Sequence, residues 1–159
     1  HSRIGVGGRM DSLQAAIVLA KLERFEHEIV QRQAVARRYH QLIADQAPQV
    51  QRLPWPKQGR TSIFAQYSLL TRQRDPLQAK LKAQGIPTAV HYPVPLNAQP
   101  AYQHLCCPDC TPVASRIAEQ VMSLPMHPDL SEADQHRIVN ALGEKQHRGV
   151  ASPSTLERP

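Results

Sequence analysis

The sequence predicts an α+β fold: a long N-terminal helix leading into a small layer of about three strands with helices packed on one face. Three observations predict it. A helix-compatible run extends from Ser12 to Ala44 without proline or glycine. Apolar residues in its second half recur at three- and four-residue steps. Beyond it, short β-rich and helical segments alternate between proline and glycine breaks, an order that suits one mixed layer. At 159 residues the chain is enough for one domain. With 41% hydrophobic residues, 4% aromatics and 14 prolines, it predicts a modest core and many loops.

The first helix follows a glycine turn, Gly5-Val6-Gly7-Gly8, that presents Arg9. Asp11 or Ser12 caps it, and Gln14 stands three residues after Asp11 as in a capping box. From Leu13 to Ala20 the only polar residue is Gln14. A helix apolar nearly all round is covered on several sides. Little else in the chain can cover it, so a missing domain or a partner subunit is expected there. In the second half Leu22, Phe25, Ile29, Ala36, Tyr39 and Ile43 mark the inward face, opposite Glu23, Glu26, Gln33 and Arg37. A helix of ~30 residues spans about 45 Å, longer than a small domain needs, and a kink between the halves is expected.

Gln46-Ala47-Pro48 ends the helix, and Val50 to Leu53 reads as a short strand. A turn-rich loop runs from Pro54 to Arg60. Ser62 to Thr71 reads as the central strand. Asp75 as cap and Pro76 as first helical residue start the next helix. Leu77 and Leu81 point inward, and Gly85 ends it. Ile86 to Tyr92 is a further strand, followed by a proline-governed loop from Pro93 to Tyr102. A helix from Pro112 to Met122, a short strand from Ser123 to Met126, and a last helix capped by Ser131 and stopped at Gly143 complete the order. The predicted organisation is a linking helix over 1–44, a small domain over 45–143 and a polar, disordered tail over 144–159.

The formal charge of +6 suits an anionic partner. The basic residues are scattered, however, over the helix (Lys21, Arg24, Arg32, Arg37, Arg38) and loops (Arg52, Lys57, Arg60), without the interleaved aromatics of a single-strand binder. Nucleic acid is therefore not expected. No run approaches the roughly 20 apolar residues of a membrane span, and the N-terminus has no signal-peptide pattern. The chain opens on His1 in mid-motif, and a longer parent protein is expected. Three clustered cysteines, Cys106, Cys107 and Cys110, make a poor disulfide framework and suggest a reducing cytoplasm.

Two places stand out chemically. His91-Tyr92 ends a strand and enters a stiff loop, where binding groups are common. His91 can donate to an anionic oxygen or exchange a proton, or simply satisfy a loop carbonyl; Tyr92 can be a packed ring. Arg9 can grip a carboxylate or phosphate with its two-pronged guanidinium, or sit in a surface ion pair. The glycines before it form no nucleotide fingerprint. His104 and the Cys107-Pro108-Asp109-Cys110 motif lack the second ligand pair of a zinc module. They do not open a helix after a strand as a redox motif would. A surface loop with free thiols, and no metal, is expected. No nucleophile with a matched base emerges, so the chain reads as part of a binding site.

Three segments occur in order: Gly5-Val6-Gly7-Gly8-Arg9-Met10-Asp11-Ser12-Leu13-Gln14-Ala15-Ala16, then His91-Tyr92-Pro93-Val94-Pro95-Leu96-Asn97-Ala98-Gln99-Pro100-Ala101-Tyr102, then Ser123-Leu124-Pro125-Met126-His127-Pro128. Together, from about Ile4 to Leu142, they resemble the C-terminal part of the DegT/StrS sugar aminotransferases, which have the fold-type I fold of pyridoxal 5'-phosphate (PLP) enzymes. The wording of the first segment resembles the branch that aminates a UDP-linked 3-keto-hexuronic acid, with glutamate as donor, in bacterial O-antigen synthesis. The resemblance implies a cytoplasmic homodimer whose large domain precedes this chain and carries the lysine that binds PLP. Lys21, Lys57, Lys80, Lys82 and Lys145 sit in no motif like that lysine segment, and the chain alone is expected not to transaminate.

Carried over by resemblance, Arg9 matches the arginine that reaches across the dimer toward the sugar, and His91 and Tyr92 match the pair that lines the sugar pocket. Many family members have Asn where Gly7 stands, contacting the cofactor phosphate across the dimer. A backbone N–H of Gly7 or Gly8 is the candidate replacement. Asn97 stands where His is frequent, which implies altered sugar contacts. Two other readings compete: a free-standing basic module for an anionic partner or nucleic acid, and a purely structural dimerisation domain.

Overall fold

The computed structural model describes residues 2, 5, 7–47, 50–51, 55–107 and 109–143. Its elements are α1 (Ser12–Leu22), α2 (Phe25–Gln46), β1 (Tyr67–Leu70), α3 (Arg74–Ala83), α4 (Pro112–Gln120), β2 (Val121–Leu124) and α5 (Glu132–Gly143), with a single 3-10 turn at Leu96–Ala98. The fold is α+β and helix-rich. β1 and β2 form one antiparallel pair, with Tyr67 opposite Leu124 and Leu70 opposite Val121.

The long helix is interrupted between its halves, where a kink is expected: it is two helices, broken at Glu23 and Arg24. Asp11 caps α1 as the sequence predicts: its carboxylate accepts from the Gln14 N–H at 2.8 Å. Of the predicted inward face, Ala36, Tyr39 and Ile43 are buried, whereas Leu22 and Phe25 are exposed. α2 packs on α5, and α3 packs on α5 as well. The core gathers Tyr39 and Ile43 from α2, Tyr67 and Leu69 from β1, Leu81 from α3, Met122 from β2, and Val139 and Leu142 from α5. Each such side chain, fully withdrawn from water, contributes about 1.5–3 kcal/mol.

One polar residue lies within this packing. Gln135 of α5 is fully buried, donates to the Val35 carbonyl at 2.9 Å and accepts from Arg38 at 2.5 Å. Arg38 also pairs with Glu132 at the solvent edge. The network satisfies a buried amide that would otherwise be costly and fixes the register of α5 on α2.

The sheet is smaller than expected, and each difference has a cause. Of the Ser62–Thr71 segment only Tyr67–Leu70 is strand. Phe64 takes a positive φ of 47°, and the carbonyls of Ser62 and Phe64 accept from Gln33 and Arg32 of α2 instead of from a strand. Ile86–Tyr92 yields one bridge, Ala89 to Ser123, because Pro87 has no N–H to donate and Pro93 follows. The last strand lies two residues before the predicted one, and the Pro125 carbonyl accepts from the Tyr39 hydroxyl at 3.1 Å. α4 accordingly ends at Gln120, not Met122. Val50 and Gln51 are not strand, although the Gln51 N–H donates to Leu70; residues 52–53 of that predicted strand lie outside the described residues.

Asp75 does not cap α3. The helix begins at Arg74, two residues before the predicted start at Pro76, and Asp75 pairs with Arg74 in its first turn. Ser131 does cap α5, accepting from the Asp134 N–H at 3.0 Å. The free-thiol expectation is overturned in part: Cys107 and Cys110 form a disulfide with Cα atoms 5.4 Å apart, while Cys106 is free and exposed. The two cysteines are three positions apart, so the bond closes a local loop and joins no distant elements. The predicted tail over 144–159 lies outside the described residues. No helix among the described residues is long and apolar enough to cross a membrane.

Candidate functional site

His91 borders an open cavity of about 270 Å³ at the edge of the sheet. Its walls come from three segments: Ala65 and Gln66 before β1, Pro87, Thr88, Ala89 and His91 after α3, and Ser123 to Met126 at the end of β2. The segment that carries His91 is fixed at both ends of its approach. Gly85 turns the chain out of α3, buried Ile86 anchors it, and Ala89 exchanges two backbone hydrogen bonds with Ser123, at 2.7 and 3.1 Å. Thr88 accepts from Gln78 of α3 at 3.0 Å, and the Ser123 hydroxyl shares a 2.8 Å bond with Ser68 across the strands. The imidazole is therefore presented from a pinned backbone, while its own side chain stays exposed.

Tyr92 is 71% exposed, and its ring meets His91 edge-on at 5.7 Å. It is not the packed ring that one reading of the sequence offered. Beyond it, Asn97 ties the proline loop together: its amide donates to the Cys107 carbonyl at 3.2 Å and accepts from Thr111 at 2.9 Å. Asn97 thus shapes the loop that follows Tyr92.

Arg9 is exposed, outside regular structure, shortly before α1, and it does not line the His91 cavity. No residue of α1 is buried. Leu13 (73% exposed), Ile17 and Leu19 leave an apolar surface uncovered, as the sequence predicts. A Cβ built at Gly7 or Gly8 would meet nothing within 4 Å, so the backbone there is open to close approach. Gln66, Thr88 and Ser123 were not legible as site residues; each reads as a strand or turn position, and only the crossing of three segments makes them walls.

Neither Lys57 nor Lys80 forms an anchor for PLP. That would take a lysine amine and, in the same cavity, an acid to face the pyridine nitrogen. Lys80 donates to the Ala141 carbonyl at 2.6 Å at the end of α5. Lys57 borders a recess lined by Arg37 and Arg60 and by no carboxylate. The cavity that holds Glu23, Glu28 and Asp129 has no lysine. Lys145 lies outside the described residues. Among those residues, no three His, Cys, Asp or Glu side chains group as metal ligands.

Two buried phenols lie in the core. Tyr39 and Tyr67 face each other with ring centroids 5.0 Å apart. Burial raises both hydroxyls above their ordinary pKa of 10.0, and they stay neutral at any physiological pH. They are structural and not proton carriers.

The chain is similar to known proteins along most of its length. The sequence pattern of the DegT/DnrJ/EryC1/StrS aminotransferase family matches residues 1–143. The chain is 46% identical over 142 residues to a UDP-2-acetamido-2-deoxy-3-oxo-D-glucuronate aminotransferase from Pseudomonas aeruginosa, covering 89% of this chain and 38% of that protein. It is 32% identical over 149 residues to a dTDP-3-amino-3,4,6-trideoxy-alpha-D-glucose transaminase from Streptomyces venezuelae, covering 93% of this chain and 39% of that one. A crystal structure of a DegT DnrJ EryC1 StrS aminotransferase from Brucella abortus superposes with a TM-score of 0.76 at 41% identity, over 88% of this chain and 37% of that one. The chain thus spans under two-fifths of the length of these relatives.

Proposed function

Since the chain belongs to the DegT/DnrJ/EryC1/StrS aminotransferase family, we propose that it is the C-terminal part of a PLP-dependent nucleotide-sugar aminotransferase. The whole protein transfers the amino group of glutamate to a UDP-linked 3-keto sugar, a 2-acetamido hexuronic acid, for O-antigen or related polysaccharide synthesis in the cytoplasm. The single observation that carries this reading is the likeness to the 3-oxo-glucuronate enzyme over nearly the whole of this chain.

In this reading the protein is a homodimer. The apolar surface of α1 is covered by the large domain and the second protomer, which removes Leu13, Ile17 and Leu19 from water. Covering α1 carries Arg9, two residues before the Asp11 cap, into the neighbouring active site, where its planar fork pairs with an anionic oxygen of the sugar nucleotide. His91, presented from the sheet edge, donates to the sugar, and Tyr92 walls the same pocket. Gly7 and Gly8 offer backbone N–H groups to the cofactor phosphate. The PLP-anchoring lysine and the acid facing the ring nitrogen belong to the portion outside this chain. The chain's own task is to bind and orient the ketone and to exclude water.

The test uses the full-length protein with the UDP-linked 3-keto sugar and glutamate. Formation of the 3-amino sugar by mass spectrometry is expected. Arg9→Ala and His91→Ala should each lower kcat/KM for the sugar by roughly tenfold to a hundredfold, the loss of one charge-assisted bond, with the glutamate half-reaction unchanged. Absence of amination, or variants with unchanged sugar kinetics, would refute the reading.

A further inference from the structure

We propose that the recess between α2 and the loop leading to β1 is a binding site for a nucleoside diphosphate, separate from the His91 cavity. The recess has a volume of about 310 Å³, within the range of small-ligand pockets. It shares no lining residue with the His91 cavity.

The local chain builds it. The Arg60 N–H donates to the Lys57 carbonyl at 3.0 Å, and Gly59 between them takes a φ of +75°, which a turn of this kind requires. Such a turn brings the Cα atoms of its end residues within about 7 Å, so Lys57 and Arg60 stand side by side. Arg37 of α2 lines the same recess. Among the described residues the side-chain ion pairs are Arg38–Glu132 and Arg74–Asp75, and no carboxylate lines the recess. Three cations therefore converge on one concavity with no acidic partner, an arrangement that pyrophosphate neutralises.

The aromatic half of the ligand is specified by Trp55. Its indole is 49% exposed and lines the recess, yet it is held in place: His40 lies against it at 4.4 Å and Phe64 at 6.2 Å. A fixed, half-open indole beside a cationic cluster is a stacking platform for a base. Thr61 and Ser62 add hydroxyls. An inorganic anion would leave the indole unused, and a nucleic acid strand would need a succession of aromatics where this recess has one. A base joined to two phosphates uses both features.

The test is calorimetric titration of the full-length protein with UDP, uridine, pyrophosphate and oligouridylate, with transamination measured on the same preparations. Wild type is expected to bind two UDP per protomer, one at each cavity. The double variant Lys57→Glu/Arg60→Glu should retain one UDP site together with wild-type kcat and KM, which also shows that it is folded. Trp55→Leu should weaken the affected site roughly tenfold, the worth of one stacked base, and pyrophosphate should bind there more weakly than UDP. One UDP per protomer in wild type that the double variant leaves in place would overturn the proposal. So would a double variant that titrates like wild type, a raised KM in that variant, or oligouridylate binding more tightly than UDP. Absence of turnover with the charge-sensitive UDP site still present would instead refute the aminotransferase reading alone.

Discussion

Gly85 offers a perturbation with one physical cause. It follows α3 with a φ of +70°. The Ile86 N–H reaches back to Leu81 at 2.9 Å and the Gly85 N–H to Lys82 at 3.0 Å, the paired closure of a Schellman motif. Leu81 and Ile86, the two apolar residues that accompany such a motif, are both buried. A Cβ built on Gly85 would meet nothing within 4 Å. Gly85→Ala therefore adds no clash and removes no contact; it only places an L side chain in the left-handed region, which costs ~1–2 kcal/mol. Stiffening of the unfolded chain offsets ~0.4–1 kcal/mol of this. The net loss of about 1 kcal/mol should lower the melting temperature by about 2–4 °C for a chain of this size. Thermal unfolding followed by far-UV circular dichroism measures it, and Gly85→Asn should lose less, since Asn tolerates this region. A Gly85→Ala protein that melts at or above the wild-type temperature would refute the reasoning, and with it the account of how the His91 segment leaves α3.

Gly143 makes the opposite case: an added Cβ would lie 2.3 Å from the Gln46 carbonyl oxygen, so Gly143→Ala must push α5 from α2 and should cost ~1–3 kcal/mol in urea unfolding. Burial raises the phenols of Tyr39 and Tyr67, so the unfolded chain ionises first. Their contribution is intact below their ordinary pKa of 10.0 and is lost as pH rises above it; denaturation midpoints measured across this range should fall, and less steeply in Tyr67→Phe. The Tyr67 hydroxyl has no hydrogen-bond partner among the described residues, so Tyr67→Phe should also hold or raise stability at neutral pH. The isolated chain should self-associate through α1, and Leu13→Lys with Ile17→Lys should reduce its mass in sedimentation velocity without changing its helicity.

Local signals were legible where one residue decides the outcome. Asp11 with Gln14, Ser131 and Gly85 mark helix ends through short-range bonds, and the structure realises each. The apolar run after Leu13 announced a surface that the described residues leave uncovered. What could not be read depended on distant partners. Ser62 and Phe64 look like strand residues until Gln33 and Arg32 claim their carbonyls. The Tyr39 hydroxyl takes the Pro125 carbonyl from 86 residues away, beyond the point where β2 stops. The break at Glu23 and Arg24 was expected from the length of the helix, and only its position went unmarked by glycine or proline. The Cys107–Cys110 pair was misread because an odd cysteine count speaks to compartment, not to whether two sulfurs meet. His91 was legible from its place at a segment end, whereas Gln66 and Thr88 became walls only through folding.

The central claim is that Arg9 serves a neighbour's active site in a dimer whose cofactor is anchored outside this chain. Mixing two full-length inactive proteins tests it: one carries Arg9→Ala, and the other lacks the PLP-anchoring lysine. If Arg9 acts across the interface, a mixed dimer holds one complete site, and random exchange of protomers restores about a quarter of wild-type turnover. A mixture that stays as inactive as its components would contradict the account.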